Sequence, residues 1–232
     1  MMNGSSGVLG MPFLALSLAL PIPHSQLRTV PELTSALNAS DPAARAAAAC
    51  ELREHGDSAA PAIPALAALL ADGAPVETSI CERRWWRGHA MDHTTPGELA
   101  ASALVAIGSP SYPVLDAAMR SKSWIARRHA AWALGALDEP RAVPALITAL
   151  RDAEAAVREQ SAWALGVIDH RDAVMPLGAA LKDADPRVRQ QAAWALGVIG
   201  DSQAMNGLLV ALKDQDAGVR RQAAWAIGVI GR

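Results

Sequence analysis

Apart from tryptophan, the sequence has almost no aromatic residues: one Phe and one Tyr stand beside seven Trp in 232 residues. A strong charge of either sign is also missing, because 21 basic and 23 acidic residues leave a formal net charge of −2. Such a chain has no global electrostatic attraction for nucleic acid or for an anionic membrane. We therefore expect no nucleic-acid partner.

The motifs of several enzyme classes are missing as well. The sequence contains no Gly-rich phosphate loop, no Ser-nucleophile motif and no His-Glu-x-x-His zinc motif. Its two cysteines, Cys50 and Cys81, say little about the redox compartment. We expect no cofactor, and the sequence favours a non-catalytic protein while leaving an enzyme open.

What the sequence does contain is one segment that occurs four times. The copies are HAAWALGALD (129–138), QSAWALGVID (160–169), QAAWALGVIG (191–200) and QAAWAIGVIG (222–231). Each copy begins 31 residues after the one before it, and a period between about 20 and 50 residues is typical of a solenoid of stacked units. A tryptophan recurs in one slot, at Trp132, Trp163, Trp194 and Trp225.

Each unit has the pattern of two helices. In 185–200 the apolar residues recur on one helical face. Asp185 and Pro186 fit the N-cap and the first position of a helix, and Gly200 fits the end of that helix. The helix before it in each unit has its own apolar stripe, as in 141–152. Neither helix can bury its stripe alone, so the units must stack.

The pattern extends towards the N-terminus and predicts about six helix pairs in 27–232. The second pair is longer than the others by about 18 residues, which we place near 73–93. Thr95 and Glu98 predict a capping box at the start of the helix that follows this insertion.

These features resemble HEAT-like repeats of the short bacterial form described in phycobilisome lyases. The resemblance rests on VRQQAAWALGVIG (188–200) and VRRQAAWAIGVIG (219–231). The tryptophan variant and the insertion also look like repeat regions attached to penicillin-sensor-type membrane metallopeptidases. The resemblance implies an all-α, right-handed α-solenoid. It implies little about function, because one fold hosts many functions.

The tryptophans fall away from the apolar face on a helical wheel with 3.6 residues per turn. The resemblance implies that the second helices line the concave surface, which puts this row inside the curve. A row of exposed large apolar groups is typical of a binding site, and tryptophan is a frequent interface anchor. The alternative is that the rings pack on one another and stiffen the solenoid. We call this predicted binding surface the Trp/Gln face; it comprises His129, Gln160, Gln191, Gln222 and the tryptophans Trp132, Trp163, Trp194 and Trp225.

An arginine and an aspartate also recur at the 31-residue step. The arginines are Arg127, Arg158, Arg189 and Arg220, and the aspartates are Asp152, Asp183 and Asp214. The resemblance implies that these groups form hydrogen bonds between repeats.

The insertion is the part of the sequence in which reactive side chains lie close together. Arg83, Arg84, Trp85 and Trp86 form a secondary binding candidate for an anionic or aromatic partner. The spacing of His89 and His93 suits one face of a helix, and Cys81 and Asp92 lie nearby. A surface loop without metal is the favoured interpretation, and we predict no metal site.

The two ends of the sequence lead to separate expectations, one about export and one about docking. Residues 1–26 include an apolar stretch, 7–23, that fits a signal peptide or an anchor better than a transmembrane span. The alternative is that this stretch forms a helix that caps the first repeat. Export to the periplasm or anchoring at a membrane is therefore favoured over a cytoplasmic location. The last unit keeps the apolar pattern of the internal ones, so we expect its outer side to dock on another copy, a partner or a further segment.

Together these patterns predict a scaffold that binds a protein or peptide on the Trp/Gln face. The alternatives are a phycobilin-lyase-like or other protein-modifying enzyme and a structural repeat module of a larger sensor protein.

Overall fold

Twelve α-helices alternate between short and long in the part of the chain that the computed structural model describes, residues 28–77, 81 and 93–231. The odd-numbered helices have seven residues each, and the even-numbered ones have 12 to 14. Two consecutive helices form a unit, so units 1 to 6 run from α1–α2 to α11–α12. The bounds are α1 Val30–Ala36, α2 Pro42–His55, α3 Ile63–Leu69, α4 Pro96–Ile107, α5 Tyr112–Ala118, α6 Trp124–Ala136, α7 Val143–Ala149, α8 Ala155–Ile168, α9 Val174–Ala180, α10 Pro186–Ile199, α11 Met205–Ala211 and α12 Ala217–Ile230.

The helix starts follow the capping pattern in the sequence. Asp185 accepts a hydrogen bond from the backbone N–H of Arg187, with Pro186 as the first helical residue, and this confirms the predicted N-cap. The capping box predicted at Thr95 is half formed. Its hydroxyl accepts from the Glu98 N–H, while the Glu98 carboxylate accepts from the hydroxyl of Thr94 rather than from the Thr95 backbone.

Two of the long helices end where the backbone turns left-handed. Gly200 has φ of +69° and ends α10, as its position in the sequence predicted. Asp169 takes the same conformation, at φ +52°, after α8. An aspartate tolerates this region better than most residues with a side chain.

Leucines from the two layers of helices form one continuous core. Each odd-numbered helix supplies one fully buried leucine, and each of the first five even-numbered helices supplies another. The leucines of the first layer are Leu33, Leu66, Leu115, Leu146, Leu177 and Leu208, and those of the second are Leu52, Leu104, Leu134, Leu165 and Leu196. Because the core is shared, each unit depends on its neighbours for burial.

The two layers differ in how closely their helices pack. Consecutive even-numbered helices are in extensive contact along the stack, whereas consecutive odd-numbered helices share few contacts, with α3 and α5 the main pair. The layer with the tighter helix spacing lies on the inside of a curved stack. The even-numbered helices are therefore the inner layer, and the described residues form an all-α solenoid of six helix pairs.

The insertion between α3 and α4 starts and ends on a short antiparallel pair. Strand β1 (Val76–Glu77) pairs with β2 (His93–Thr94), with Val76 opposite Thr94 and Glu77 opposite His93. Cys81 forms a disulfide with Cys50 on α2, the Cα atoms lying 6.2 Å apart. The secondary binding candidate Arg83, Arg84, Trp85 and Trp86, together with His89, Asp92 and the segment 1–26, lies outside the described residues.

None of the helices in the described ranges combines the length and the apolar character needed to cross a bilayer.

One polar side chain in the core breaks the repeat. Ser161 on α8 is fully buried, and its hydroxyl has no hydrogen-bond partner. The equivalent positions in the neighbouring units are alanines, Ala130, Ala192 and Ala223, which are also fully buried. An unpaired buried hydroxyl costs free energy that an alanine does not.

We predict that Ser161→Ala raises the free energy of unfolding by about 1 kcal/mol, because it removes an unsatisfied buried polar group. Urea denaturation followed by circular dichroism measures the change. The reverse substitution in the next unit, Ala192→Ser, is the matched control and should lower stability by a similar amount. A Ser161→Ala variant less stable than the wild type would show that the hydroxyl has a partner.

Candidate functional site

Three tryptophans of the inner layer, Trp163, Trp194 and Trp225, each pack on a glycine of the preceding unit. A Cβ built on Gly166 would lie 2.7 Å from Cζ3 of Trp194, and one built on Gly135 would lie 2.9 Å from Cζ3 of Trp163. These distances are too short for real Cβ atoms, so only glycine lets the ring and the helix behind it come this close. The row therefore has the packing role that the sequence left open.

The same contact draws the helix backbones together. The Cβ built on Gly166 would also lie 2.8 Å from Cα of Ala195, the residue after Trp194, and Gly135 stands in the same relation to Ala164. Gly197 repeats the arrangement with Trp225 and Ala226. Three consecutive junctions of the inner layer, α6–α8, α8–α10 and α10–α12, share this glycine–tryptophan contact.

The opposite edge of each indole is open. Trp132, Trp163 and Trp194 are partly buried, and Trp225 is 44% exposed. No described residue accepts a hydrogen bond from their N–H groups. These nitrogens are also not among the buried polar atoms without a partner, which within the described ranges are the hydroxyls of Ser111 and Ser161. The benzo edge thus holds the stack together while the N–H edge reaches the surface.

The glutamines lie beside this row with unused amides. Gln160, Gln191 and Gln222 are each partly buried. Their side chains make no hydrogen bond to another described residue, so each amide has a free donor and a free acceptor. These free amides, next to the open indole edges, form the part of the Trp/Gln face that is available to a partner.

His129 does not share this exposure, although the sequence placed it in the same row. It is only 4% exposed, and its Nδ1 lies 2.8 Å from the backbone oxygen of Leu70 at the end of α3. Burial lowers its pKa, against a smaller rise from the hydrogen bond to Leu70. His129 is therefore a neutral packing residue between units 2 and 3, and the prediction that it faces a partner is corrected.

The junction between units 2 and 3 differs because it lacks the recurring residues. Val105 occupies the glycine position on α4, and Gly97 occupies the position of the repeated arginine. A Cβ on Gly97 would lie 2.9 Å from Cε1 of His129, so this glycine makes room for the histidine ring. At this junction His129 of α6 therefore packs on Gly97 of α4 and bonds the carbonyl group at the end of α3, while Arg128 of α6 pairs with Glu98 of α4 at 3.4 Å.

The arginine and aspartate rows connect the units, as the resemblance implied. Nε and Nη2 of Arg158 donate to the carboxylate of Asp183 in the next unit at 2.7 and 2.8 Å. Its Nη1 donates to the backbone oxygens of Asp152 and Ala153 in its own unit. Arg127–Asp152 and Arg189–Asp214 repeat the fork, and Arg45 and Asp72 form the same pair in units 1 and 2.

In units 4 to 6 these ion pairs favour the charged form of the aspartate carboxyl groups, those of Asp152, Asp183 and Asp214. The hydrogen bond from Arg189 holds the pKa of Asp214 below its usual value. Burial acts to raise the pKa of Asp183, but hydrogen bonds from Arg158 and from the backbone N–H of Asp185 leave it lowered. The N-cap carboxyl of Asp185, bonded by Arg187, has a pKa of about 2. The rows are therefore structural and carry no acid–base chemistry near neutral pH.

The position immediately before His129 and before each glutamine of the Trp/Gln face carries charges of both signs in different units. Arg128, Glu159 and Arg221 occupy it in units 3, 4 and 6, with Gln190 in unit 5. Burial raises the pKa of Glu159, and the nearby guanidinium of Arg187, 3.9 Å away, acts to lower it. The inner layer therefore has no single sign of charge to attract a nucleic-acid backbone.

Metal-ligating side chains do not cluster in residues 28–77, 81 and 93–231, where no group of three could hold an ion. Cys81 is bonded to Cys50, so it is not available to a ligand set with His93. Cys50 itself occupies the position on α2 that tryptophan holds on α6, α8, α10 and α12. The 31-residue repeat offered no signal that would have paired the two cysteines.

A family model for HEAT repeats matches residues 98–166 and 143–228, which together span more than half of the chain. The chain belongs to the HEAT-repeat family. No curated protein matches it.

Solved structures share this fold at low sequence identity. The complex of CpcE and CpcF of phycocyanin lyase from Nostoc is 24% identical with a TM-score of 0.55, over 92% of this chain and 81% of that one. Importin beta is 17% identical with a TM-score of 0.61, over 87% of this chain and 31% of that one. A designed armadillo repeat protein in complex with the peptide (KR)4 is 18% identical with a TM-score of 0.54, over 88% of this chain and 100% of that one.

We predict that Gly166→Ala destabilises the protein by more than about 2 kcal/mol, because the new methyl group overlaps Trp194 and the Ala195 backbone. Gly228→Ala is the matched control. It changes the same helical position in unit 6, where a Cβ meets nothing within 4 Å, so it should stabilise by about 0.5–1 kcal/mol through helix propensity. Both are measured by urea denaturation. Equal effects at the two sites would contradict the packing role.

Proposed function

We propose that the chain is a non-catalytic protein–protein interaction scaffold that binds a protein or peptide segment on the Trp/Gln face. The observation that supports this most is the row of free amides on Gln160, Gln191 and Gln222, beside indole N–H edges that no described residue uses. Polar groups that the fold itself does not use, repeated at a fixed step, suit a ligand with its own repeating polar groups.

An extended polypeptide has that property. Each glutamine amide can donate to a backbone carbonyl and accept from a backbone N–H. Neighbouring inner helices are about 8–10 Å apart in such packing, and an extended chain advances about 3.3 Å per residue, so each unit spans about three residues of the ligand. The designed armadillo repeat protein, which has a related fold, is in complex with a peptide, and this supports a ligand of this kind.

The glutamines test this proposal better than the tryptophans, because the rings also hold the stack together. We predict that Gln160→Ala/Gln191→Ala/Gln222→Ala weakens partner binding roughly tenfold to a hundredfold, at about 0.5–1 kcal/mol per lost amide, with unchanged melting. A partner captured from the native host's lysate is identified first, and calorimetry with the purified partner then gives the affinity.

The matched control changes glutamines outside the face. Gln203→Ala/Gln215→Ala alters two exposed glutamines next to α11 and should leave the affinity unchanged. Equal affinity of the wild type and the triple variant would exclude the Trp/Gln face as the binding site. A change in the visible absorption of an added bilin would instead favour a lyase-like activity, for which no described residue gives specific support.

We also propose that the protein acts in an oxidising compartment, either exported or anchored at a membrane. The disulfide between Cys50 and Cys81 supports this, because such bonds persist outside the reducing cytoplasm. The apolar stretch 7–23 is the sequence feature that agrees with it.

We predict that protein taken from its native host has no thiol that reacts with a maleimide until a reductant is added, since both cysteines are paired. Mass spectrometry of the labelled protein measures this, with a reduced sample as the control. Two reactive thiols in protein trapped by acid at lysis would place it in a reducing compartment.

A further inference from the structure

The outer layer has an apolar groove between α9 and α11, which we call the α9–α11 groove. Its volume is about 1000 Å³, and its apolar walls are Gly178 and Leu181 on α9 and Gly207, Val210 and Ala211 on α11. A Cβ on Gly207 would lie 3.0 Å from Cδ1 of Leu181, so the two helices face each other across the groove. The groove is therefore formed by two neighbouring units of the described stack.

The groove is open because Gly178 has no side chain. The equivalent residue in unit 4 is Ile147, which is partly buried and packs against the core. A Cβ on Gly178 would meet nothing within 4 Å, so the packing of the chain does not require glycine here. Glycine inside a helix is less favourable than alanine, and one of its uses is to let another molecule approach the backbone closely.

Large apolar side chains are exposed beside this opening. Val210 on α11 is 70% exposed, and Met175 on α9 is 71% exposed. The residues equivalent to Val210 in units 4 and 5, Thr148 and Ala179, are exposed as well. This position therefore lies on the outer surface of each of these units, and unit 6 differs from the others in placing a large apolar residue there. Exposed apolar groups around a groove are typical of an interaction site.

Two lysines at the groove have no carboxylate partner among the described residues. Lys182 follows α9, Lys213 follows α11, and both are exposed. The two aspartates that line the groove, Asp183 and Asp214, are already bonded by the arginines of the preceding units. Unpaired positive charge on both sides of an apolar groove is complementary to an apolar segment that carries carboxylates.

A second groove lies at the equivalent place between α3 and α5 and lacks these features. It has a volume of about 390 Å³ and is lined mainly by alanines, with Ala67 in the position of Gly178. Ala71 replaces the first lysine, and Arg120, which replaces the second, donates to Asp116 at 2.9 Å. Of the two grooves, the α9–α11 groove alone combines apolar walls with unpaired positive charge.

We propose that the α9–α11 groove is a docking site for a segment of another protein that carries an apolar side chain between acidic residues. The apolar side chain fills the space beside Gly178, and the carboxylates pair with Lys182 and Lys213. The groove is in the outer layer and the Trp/Gln face is in the inner layer, so this site is independent of the proposed peptide binding on the Trp/Gln face.

The test is fluorescence anisotropy of the full chain with two labelled synthetic peptides. In the acidic peptide a Phe stands between pairs of Asp, and in the matched basic peptide Lys replaces each Asp. The acidic peptide should bind at least about tenfold more tightly than the basic one, and its binding should weaken as salt is added. Lys182→Glu/Lys213→Glu should reverse this preference.

The variant that fills the groove is Gly178→Ile, which introduces the residue that unit 4 has at this position. It should weaken binding of the acidic peptide at least about tenfold, and circular dichroism should show unchanged helicity and melting. Ala67→Ile, the corresponding change in the groove between α3 and α5, is the matched control and should leave the affinity unchanged.

Three results overturn the proposal. One is that the wild type binds neither peptide, and another is that it binds both equally. The third is that binding of the acidic peptide survives Gly178→Ile, because the peptide then uses a different surface. If that binding is instead lost in Gln160→Ala/Gln191→Ala/Gln222→Ala, the surface is the Trp/Gln face.

Discussion

The close approach of consecutive inner helices is the constraint on which the rest of this structure depends. Gly135, Gly166 and Gly197 each leave room for an indole edge and for the backbone of the next helix. Because the inner helices are drawn together while the outer helices stay apart, the stack curves with the even-numbered layer inside. From unit 3 onward, the arginine–aspartate forks then fix one unit on the next through two side-chain hydrogen bonds at each junction.

This constraint also gives Trp163, Trp194 and Trp225 two roles each. The benzo edge packs on the neighbouring glycine, which leaves the N–H edge and the adjacent glutamine amide at the surface. A residue that packs on one side and faces solvent on the other gives a partner a rigid surface, because the ring cannot change rotamer without losing its packing. The packing and binding interpretations of the row are therefore compatible.

The chain departs from its own repeat at two places. Between units 2 and 3 a buried His129 and Gly97 replace the tryptophan–glycine contact, next to the insertion stem formed by β1 and β2. At α12 the recurring residues are present, but no described residue covers them. The first departure changes how units 2 and 3 meet, and the second leaves the outer side of α12 exposed among the described residues.

The number of units, the alternation of helices, their caps at Asp185 and Gly200, and the arginine and aspartate rows could all be predicted from the sequence. These depend on local periodicity and on contacts that recur at one fixed step, so a single chain displays them. Three features could be seen only in the tertiary structure: the burial of His129, the disulfide between Cys50 and Cys81, and the packing of three indoles on glycines of the preceding unit. Those outcomes depend on side chains from different helices meeting in space, and a residue's place in the repeat does not say which neighbour replaces the usual one.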